Sequence, residues 1–243
     1  KSQMQYTYGF PPTPKMVKWL IYINIFMFVV SLVAMWMGLD LPLILGLVPY
    51  LVIKKYYLWQ FFSYMFLHAS VFHLLFNMLM LWMFGSELCR LWGERFFIKY
   101  FIITGVGAGV CVTALSLVFP SQFLIPTIGA SGAIFGLFLA YGLIFKDKNL
   151  YVFGLIPIKA RPLVIIMGGI ELLSLLSEKN SSISHLAHLG GLFTGLAYIK
   201  IKEYERKVLA RKFARKKENS SSDNVIFSDF GGKNANKDKN IWN

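Results

Sequence analysis

IGASGAIFGLFLAYGLIF, residues 128–145, carries no charged side chain and, with Thr127, approaches the length of a membrane span. A spanning helix needs about 20 mostly apolar residues, because it rises 1.5 Å per residue through a hydrocarbon layer about 30 Å thick. The polar exception near its start is Ser131, set in Gly129-Ala130-Ser131-Gly132, with Gly136 four residues beyond Gly132.

The same reading extends in both directions. Apolar runs near 16–37, 69–89, 96–118, 127–145, 162–177 and 183–201 give six candidate spans, the fifth being the shortest. The 38–68 stretch is broken by Asp40, Pro42, Pro49, Lys54 and Lys55, with aromatic residues between, and reads as a loop of short interfacial helices. Composition agrees: of 243 residues, 56% are hydrophobic and 15% charged, against about 25% charged in soluble domains. The fold class expected is an all-α membrane bundle of six helices.

The net charge of +13 raises the possibility of a nucleic-acid partner. Position argues against it, since twelve of the 25 Lys and Arg residues lie between Lys200 and Lys239, past the last apolar run. Lys1, Lys15, Lys18, Arg90, Arg95, Lys99, Lys146, Lys148, Lys159 and Arg161 fall on the same side as that tail. Only Lys54, Lys55 and Lys179 fall on the other. Cytoplasmic loops collect Lys and Arg, so both termini are expected in the cytoplasm, and spans 2, 4 and 6 enter from the outer face. No early stretch reads as a cleaved leader, so the first run is expected to remain as a span. Cys89 and Cys111 lack metal-ligand spacing and read as ordinary membrane-helix residues.

Polar side chains inside a bilayer are costly unless they pair or line a wet cavity. Those in the even-numbered spans gather near one depth: His73 and Asn77 in span 2, Ser131 in span 4, and His185 and His188 in span 6. Ser131 lies about 6 Å into its helix and His188 about 8 Å. Gly132/Gly136 and Gly191/Gly195 give both helices a small-residue face suited to close approach. A lone intramembrane serine usually bonds its own backbone, but here a base stands within reach. A serine hydroxyl becomes a useful nucleophile when a base takes its proton, and His188 is placed to do so. No acid lies near His188 in span 6, which points to a dyad with the ring oriented by packing. Phe135, one turn after Ser131, is the residue expected to stack on it. Free amides at the start of span 4, with His73 and Asn77, supply candidate oxyanion donors.

These residues together resemble the rhomboid family of intramembrane proteases over about residues 16–200. The strongest matches are FLHASVFHLLFNMLMLWMFG (66–85), IGASGAIFG (128–136) and AHLGGLFTG (187–195). GLVPYLVIKKYYLWQFFSYM (46–65), Asn24 in INIF, and ELCRLWGERFFIKYFIITGVGAG (87–109) add to them. The resemblance implies a serine endopeptidase that cuts the transmembrane segments of single-pass membrane proteins through an acyl-enzyme. It makes Ser131 the nucleophile and His188 the general base and acid. His73, Asn77 and Gly129 would form the oxyanion hole, His68 would be structural, and Glu87 would match a glutamate that braces the first loop. It gives His185 no role. Neither cofactor nor metal is expected, and no HExxH motif occurs. The partners implied are membrane-protein substrates and lipid. A short chain with six spans and no transit peptide points to a prokaryotic plasma membrane as the expected location.

The domain boundaries expected are a short cytoplasmic segment 1–14, the membrane domain 15–202 and a basic tail 203–243. Residues 200–218 can continue span 6 as a basic helix, whereas 219–243, rich in Ser, Asn, Lys and Gly, reads as disordered. A lid over the site is expected around 178–184. Two other readings start from the same residues. A client-binding, non-catalytic relative would lack the serine or the histidine. A transporter would carry acids near mid-membrane, and Glu171 in span 5 is the one acid placed away from a span's end, Glu87 lying at the end of span 2.

Overall fold

A computed structural model describes residues 12–118, 123–152, 155–177 and 182–228. The chain divides into two units, Lys1–Ile199 and Lys200–Asn243.

The first unit is a helical bundle. Helix α1 (Lys15–Trp36) follows Pro14 and buries one stripe, Val17, Leu20, Asn24 and Phe28. The other faces, with Trp19, Phe26 and Val29, are open to lipid. Asn24 is fully buried and answers its own helix, donating to the Leu20 carbonyl at 2.7 Å. This is the usual resolution for a polar side chain in an apolar span.

Residues 38–68 fold, as expected, into short helices: α2 (Leu41–Leu45), α3 (Pro49–Lys55) and α4 (Gln60–Ser63), with a 3-10 turn over Tyr64–Phe66. One buried amide holds them together. Gln60 accepts from the Val48 N–H at 3.0 Å and donates to the Leu43 carbonyl at 3.0 Å. Trp59 and Ser63 bond the Ile44 and Leu45 carbonyls on the same side. The loop is then stitched to the segment before Ser131. Leu47 and Thr127 exchange both backbone hydrogen bonds, at 2.9 and 2.8 Å, and Gly129 N–H donates to the Tyr64 carbonyl at 2.9 Å.

Helix α5 (Val71–Met80) starts at Ser70, whose side chain accepts from the His73 N–H. It runs through a π turn, Leu81–Gly85, into α6 (Ser86–Trp92). Gly93, with φ of 77°, breaks the chain sharply before α7 (Glu94–Ser116). Helix α8 (Ser131–Ile144) is shorter than the span expected over 127–145, because the bridge at Thr127 and the φ of 121° at Gly129 forbid helix there. Its length of about 21 Å recesses Ser131 below the end of a full span. Helix α9 (Ala160–Ser177) and α10 (Ser182–Ser228) complete the described elements.

Among the described residues, four helices can cross a membrane by length and composition: Lys15–Trp36, Val71–Trp92, Glu94–Ser116 and Ala160–Ser177. The apolar helix α8 falls short of that length.

The expected helical membrane architecture stands, with two additions that the sequence did not announce. First, β1 (Asn149–Val152) and β2 (Ile156–Lys159) form an antiparallel hairpin between α8 and α9. These four-residue strands are too short to show themselves by alternation. Second, helix continues in the second unit to Ser228, through ten residues expected to be disordered. Ion pairs Lys200–Glu203 and Lys202–Glu205, at 3.1 and 2.6 Å, support its start. Residues 229–243 and 1–11, and the part of the expected lid at 178–181, lie outside the described residues; 182–184 begin α10.

Candidate functional site

Ser131 is the first residue of α8, and Ile134 is the first whose N–H bonds back along it, to the Ala130 carbonyl at 3.0 Å. The N–H groups of Ser131, Gly132 and Ala133 thus have no partner within the helix, as at any helix start. Gly129 bends the chain just ahead of them.

Helix α10 packs on α8 through glycine. A methyl added at Gly191 would run into the Gly132 carbonyl oxygen, and one at Gly195 would lie 3.2 Å from the Gly136 Cα. A methyl on Gly132 would come within 3.3 Å of the Ala187 carbonyl. The two small-residue faces therefore meet, and the residue beside Gly132 is Ser131 while the one beside Ala187 is His188. Helix α7 ties down the other side, with Tyr100 donating to the Gly136 carbonyl at 2.8 Å and Tyr64 donating to the Gly105 carbonyl at 2.7 Å.

The His188 ring lies flat on Phe135, with centroids 4.1 Å apart and planes 11° from parallel. From the opposite wall, α5 presents His73. Its Nδ1 accepts from the Ala69 N–H at 3.3 Å, which leaves the proton on Nε2. That nitrogen points at the Gly129–Ser131 turn: a methyl on Gly129 would sit 2.8 Å from Nε2 and 3.8 Å from the Ser131 Oγ. Asn77 is buried one turn below and donates to the His73 carbonyl at 2.8 Å; its amide has a second N–H. His68 is buried against His73, with ring centroids 5.0 Å apart, and its two nitrogens have no hydrogen-bond partner among the described residues.

Two residues do something other than expected. Glu87 does not brace the first loop, which Gln60 and the Leu47–Thr127 bridge hold. It accepts from Tyr141 at 3.0 Å and from Lys148 at 2.6 and 2.7 Å, so it anchors the end of α8 and the turn after it. The sequence lost this because Lys148 read only as a topogenic charge. Burial opposes the Lys148 charge, but the bonds to Glu87 and Tyr141 outweigh it and raise its pKa. A raised lysine pKa adds stability at pH below the ordinary lysine range, and that stability is lost as pH rises past it. The pair is half exposed, so Lys148→Ala should cost under about 1 kcal/mol at neutral pH. Thermal melts at pH 7 and pH 11 should show the difference from the parent chain shrinking.

The second is Glu171, the only buried polar residue of α9. Its Oε2 lies 2.6 Å from His185 Nδ1 and its Oε1 3.0 Å from His188 Nδ1. The expectation of an acid-free histidine, oriented by packing alone, is corrected: the acid comes from α9, not α10. The His188 contact is an ion-pair approach whose angle is not that of a hydrogen bond. His185, to which the resemblance gave no role, shares the carboxylate.

Glu171, His185 and His188 are also residue types that bind zinc, with ligand atoms within 4.8 Å of one another. Around a tetrahedral ion, ligand atoms about 2.1 Å from the metal stand about 3.4 Å apart. The 2.6 Å His185–Glu171 contact is a hydrogen bond closed on itself, so the cluster as it stands does not fit an ion.

An apolar cleft of about 240 Å³ opens beside the site, lined by Met80 and Met83, by Ile134, Phe135 and Phe138, and by Met167 on α9. Phe135, at its inner end, also stacks on His188.

Fold and site together define a multi-pass helical membrane protein in which Ser131 and His188 each adjoin the glycine-packed contact between α8 and α10. The chain belongs to the rhomboid family: residues 55–204 match the Rhomboid domain. It is 31% identical over 153 residues to the putative rhomboid protease YdcA of Bacillus subtilis, covering 61% of this chain and 70% of that one. It is 31% identical over 138 residues to RHOMBOID-like protein 12, mitochondrial, of Arabidopsis thaliana, covering 52% and 41%. To Rhomboid protein 1, mitochondrial, of Saccharomyces cerevisiae it is 27% identical, covering 55% and 38%. The chain thus spans about two fifths of the plant and yeast proteins. Because relatives with mitochondrial names stand beside bacterial ones, family membership does not select one membrane.

Proposed function

We propose that this chain is a rhomboid serine endopeptidase that cleaves the transmembrane segments of single-pass membrane proteins, with Ser131 as nucleophile and His188 as base. The observation that carries the reading is the His188 ring, fixed on Phe135 next to the glycine contact that brings α10 against Ser131. As the Ser131 Oγ bonds the scissile carbonyl carbon, its proton passes to His188 Nε2. The carbonyl oxygen becomes an oxyanion facing the free amides of α8 and the His73 Nε2–H. Collapse breaks the C–N bond, and the leaving amine takes the proton from His188. Water, deprotonated by the same ring, then releases the acid and restores Ser131.

Six spans with both termini cytoplasmic, in a prokaryotic plasma membrane, complete the reading; the basic loops support the orientation. A substrate helix satisfies its own backbone in lipid, so it must unwind before attack. The cleft between α5 and α9 gives such a segment a lateral way in.

The test is to reconstitute the chain in vesicles with a tagged single-pass substrate and to label it with a fluorescent fluorophosphonate. Cleavage and labelling at Ser131 support the reading. A folded chain that neither labels nor cleaves across several lipids and substrates would point instead to client binding.

Gly129→Ala probes the oxyanion turn. Its φ of 121° disfavours any side chain, and the methyl would press on His73. Strain of about 1–3 kcal/mol is expected, with cleavage falling about 10²-fold through the displaced donor, read as initial rate on the same substrate.

A further inference from the structure

We propose that Glu171 is a positioning residue for His188, itself held by His185, so that the site works as a serine–histidine–glutamate unit shared among three helices. This rests on the reading of Ser131 and His188 given above.

An imidazole ring must be fixed in two ways to serve a serine. Phe135 fixes its plane, since a parallel stack at 4.1 Å resists tilting. A ring lying flat can still rotate within that plane, and a stack exerts little control over which edge faces the serine. Glu171 supplies that control by holding the Nδ1 edge at 3.0 Å. A negative charge this close to Nδ1, although off the hydrogen-bond line, favours the proton on that nitrogen and leaves Nε2 the lone pair that the reaction uses. When Nε2 takes the serine proton, the ring becomes a cation beside an anion, which lowers the barrier.

His185 gives the carboxylate its own fixed position. It sits one turn before His188 on the same face of α10 and reaches the other oxygen at 2.6 Å. The Glu171 side chain is only 10% exposed, and a carboxylate is expensive at membrane depth without partners. Nothing in α9's own packing calls for an acid there: the other residues it buries are Ala160 and Val164. Two imidazoles gripping one carboxylate explain both its presence and its orientation.

The competing account is that Glu171 merely pins α9 to α10. Glu171→Gln separates the two, since it keeps shape and hydrogen bonding but loses charge. It can also offer Nδ1 an N–H, favouring the wrong tautomer. The measurement is kcat and KM on the reconstituted chain, with the fluorophosphonate labelling rate and a thermal melt. The expected result is a melt and KM close to the parent, kcat down about 10²-fold or more, and labelling slowed in parallel. Glu171→Asp, which keeps the charge on a shorter arm, should recover part of kcat. His185→Ala should lower kcat several-fold at unchanged KM.

A kcat for Glu171→Gln within threefold of the parent overturns the proposal, as does equal loss in the Gln and Asp variants with a collapsed melt. Should the Gln variant fail to fold, His185→Ala decides: an unchanged kcat there overturns it. In all these cases parent labelling at Ser131 leaves the catalytic reading standing. A folded parent that does not label removes both.

Discussion

Ser131→Ala, His188→Ala and the double variant should all cleave a model transmembrane substrate at the same residual rate, about 10⁴-fold or more below the parent chain. Residues that act as one chemical unit are not additive. Without its base, Ser131 keeps a hydroxyl too weakly nucleophilic to attack, and without the hydroxyl, His188 has no proton to take. Removing the second member therefore removes nothing further. Rates measured in vesicles, with melts showing intact folds, check this. A double variant slower than both single variants by another large factor would mean that the two groups act separately, and the unit drawn here would be wrong. Neither substitution should harm stability much, since Ser131 sits at a helix start and His188 is partly exposed.

The second large effect concerns packing. Gly191→Ala should destabilise the bundle and reduce cleavage about 10²-fold or more. The added carbon would overlap the Gly132 carbonyl oxygen, a backbone atom that cannot rotate aside. Helices α8 and α10 must part instead, and overpacking of this kind costs about 1–3 kcal/mol. The same movement carries His188 away from Ser131, and a misplacement of about 1 Å is worth about 10²-fold in rate. Gly169→Ala provides the contrast. That glycine lies in α9 with nothing within 4 Å of an added carbon, so alanine should stabilise by about 0.5–1 kcal/mol through helix propensity. Melting and cleavage of both variants, measured side by side, separate close approach from glycine content. Equal behaviour would show that the α8–α10 contact does not set the site.

Much of this arrangement was legible because its chemistry is written within short stretches. His73 and Asn77 share a helix face, Ser131 sits next to its glycine step, and His188 sits three residues before its own. The Phe135 stack also follows from helical periodicity alone. Glu171 was not assigned because it lies in a different helix from the rings it meets, and no local period links them. A signal was present: a solitary acid in an apolar span requires a partner, and His185 and His188 are the first titratable side chains of the next apolar run. Glu87 went wrong for a related reason, its partners lying 54 and 61 residues away. The strands around Pro157 and the helical residues 219–228 were lost to short length and to composition, which average out what a few hydrogen bonds decide.

The π turn at Leu81–Gly85 divides one helix into two halves that would otherwise face different neighbours. Above it His73 is turned toward Ser131; within it Phe84 meets Tyr141 edge-on at 4.9 Å, and below it Glu87 accepts from the same ring's hydroxyl. A π turn amounts to one extra residue in an α-helix, and each residue turns the helix by about 100°. Take that residue out and the upper half stays where it is, while Glu87 swings off Tyr141 and Lys148. The extra residue is thus a phase shifter between the chemistry at one end and the anchor at the other. A relative lacking it can keep one of those two contacts with α8 but not both. A one-residue gap at this point in an alignment would therefore mark a real structural divide, even where every reactive residue matches.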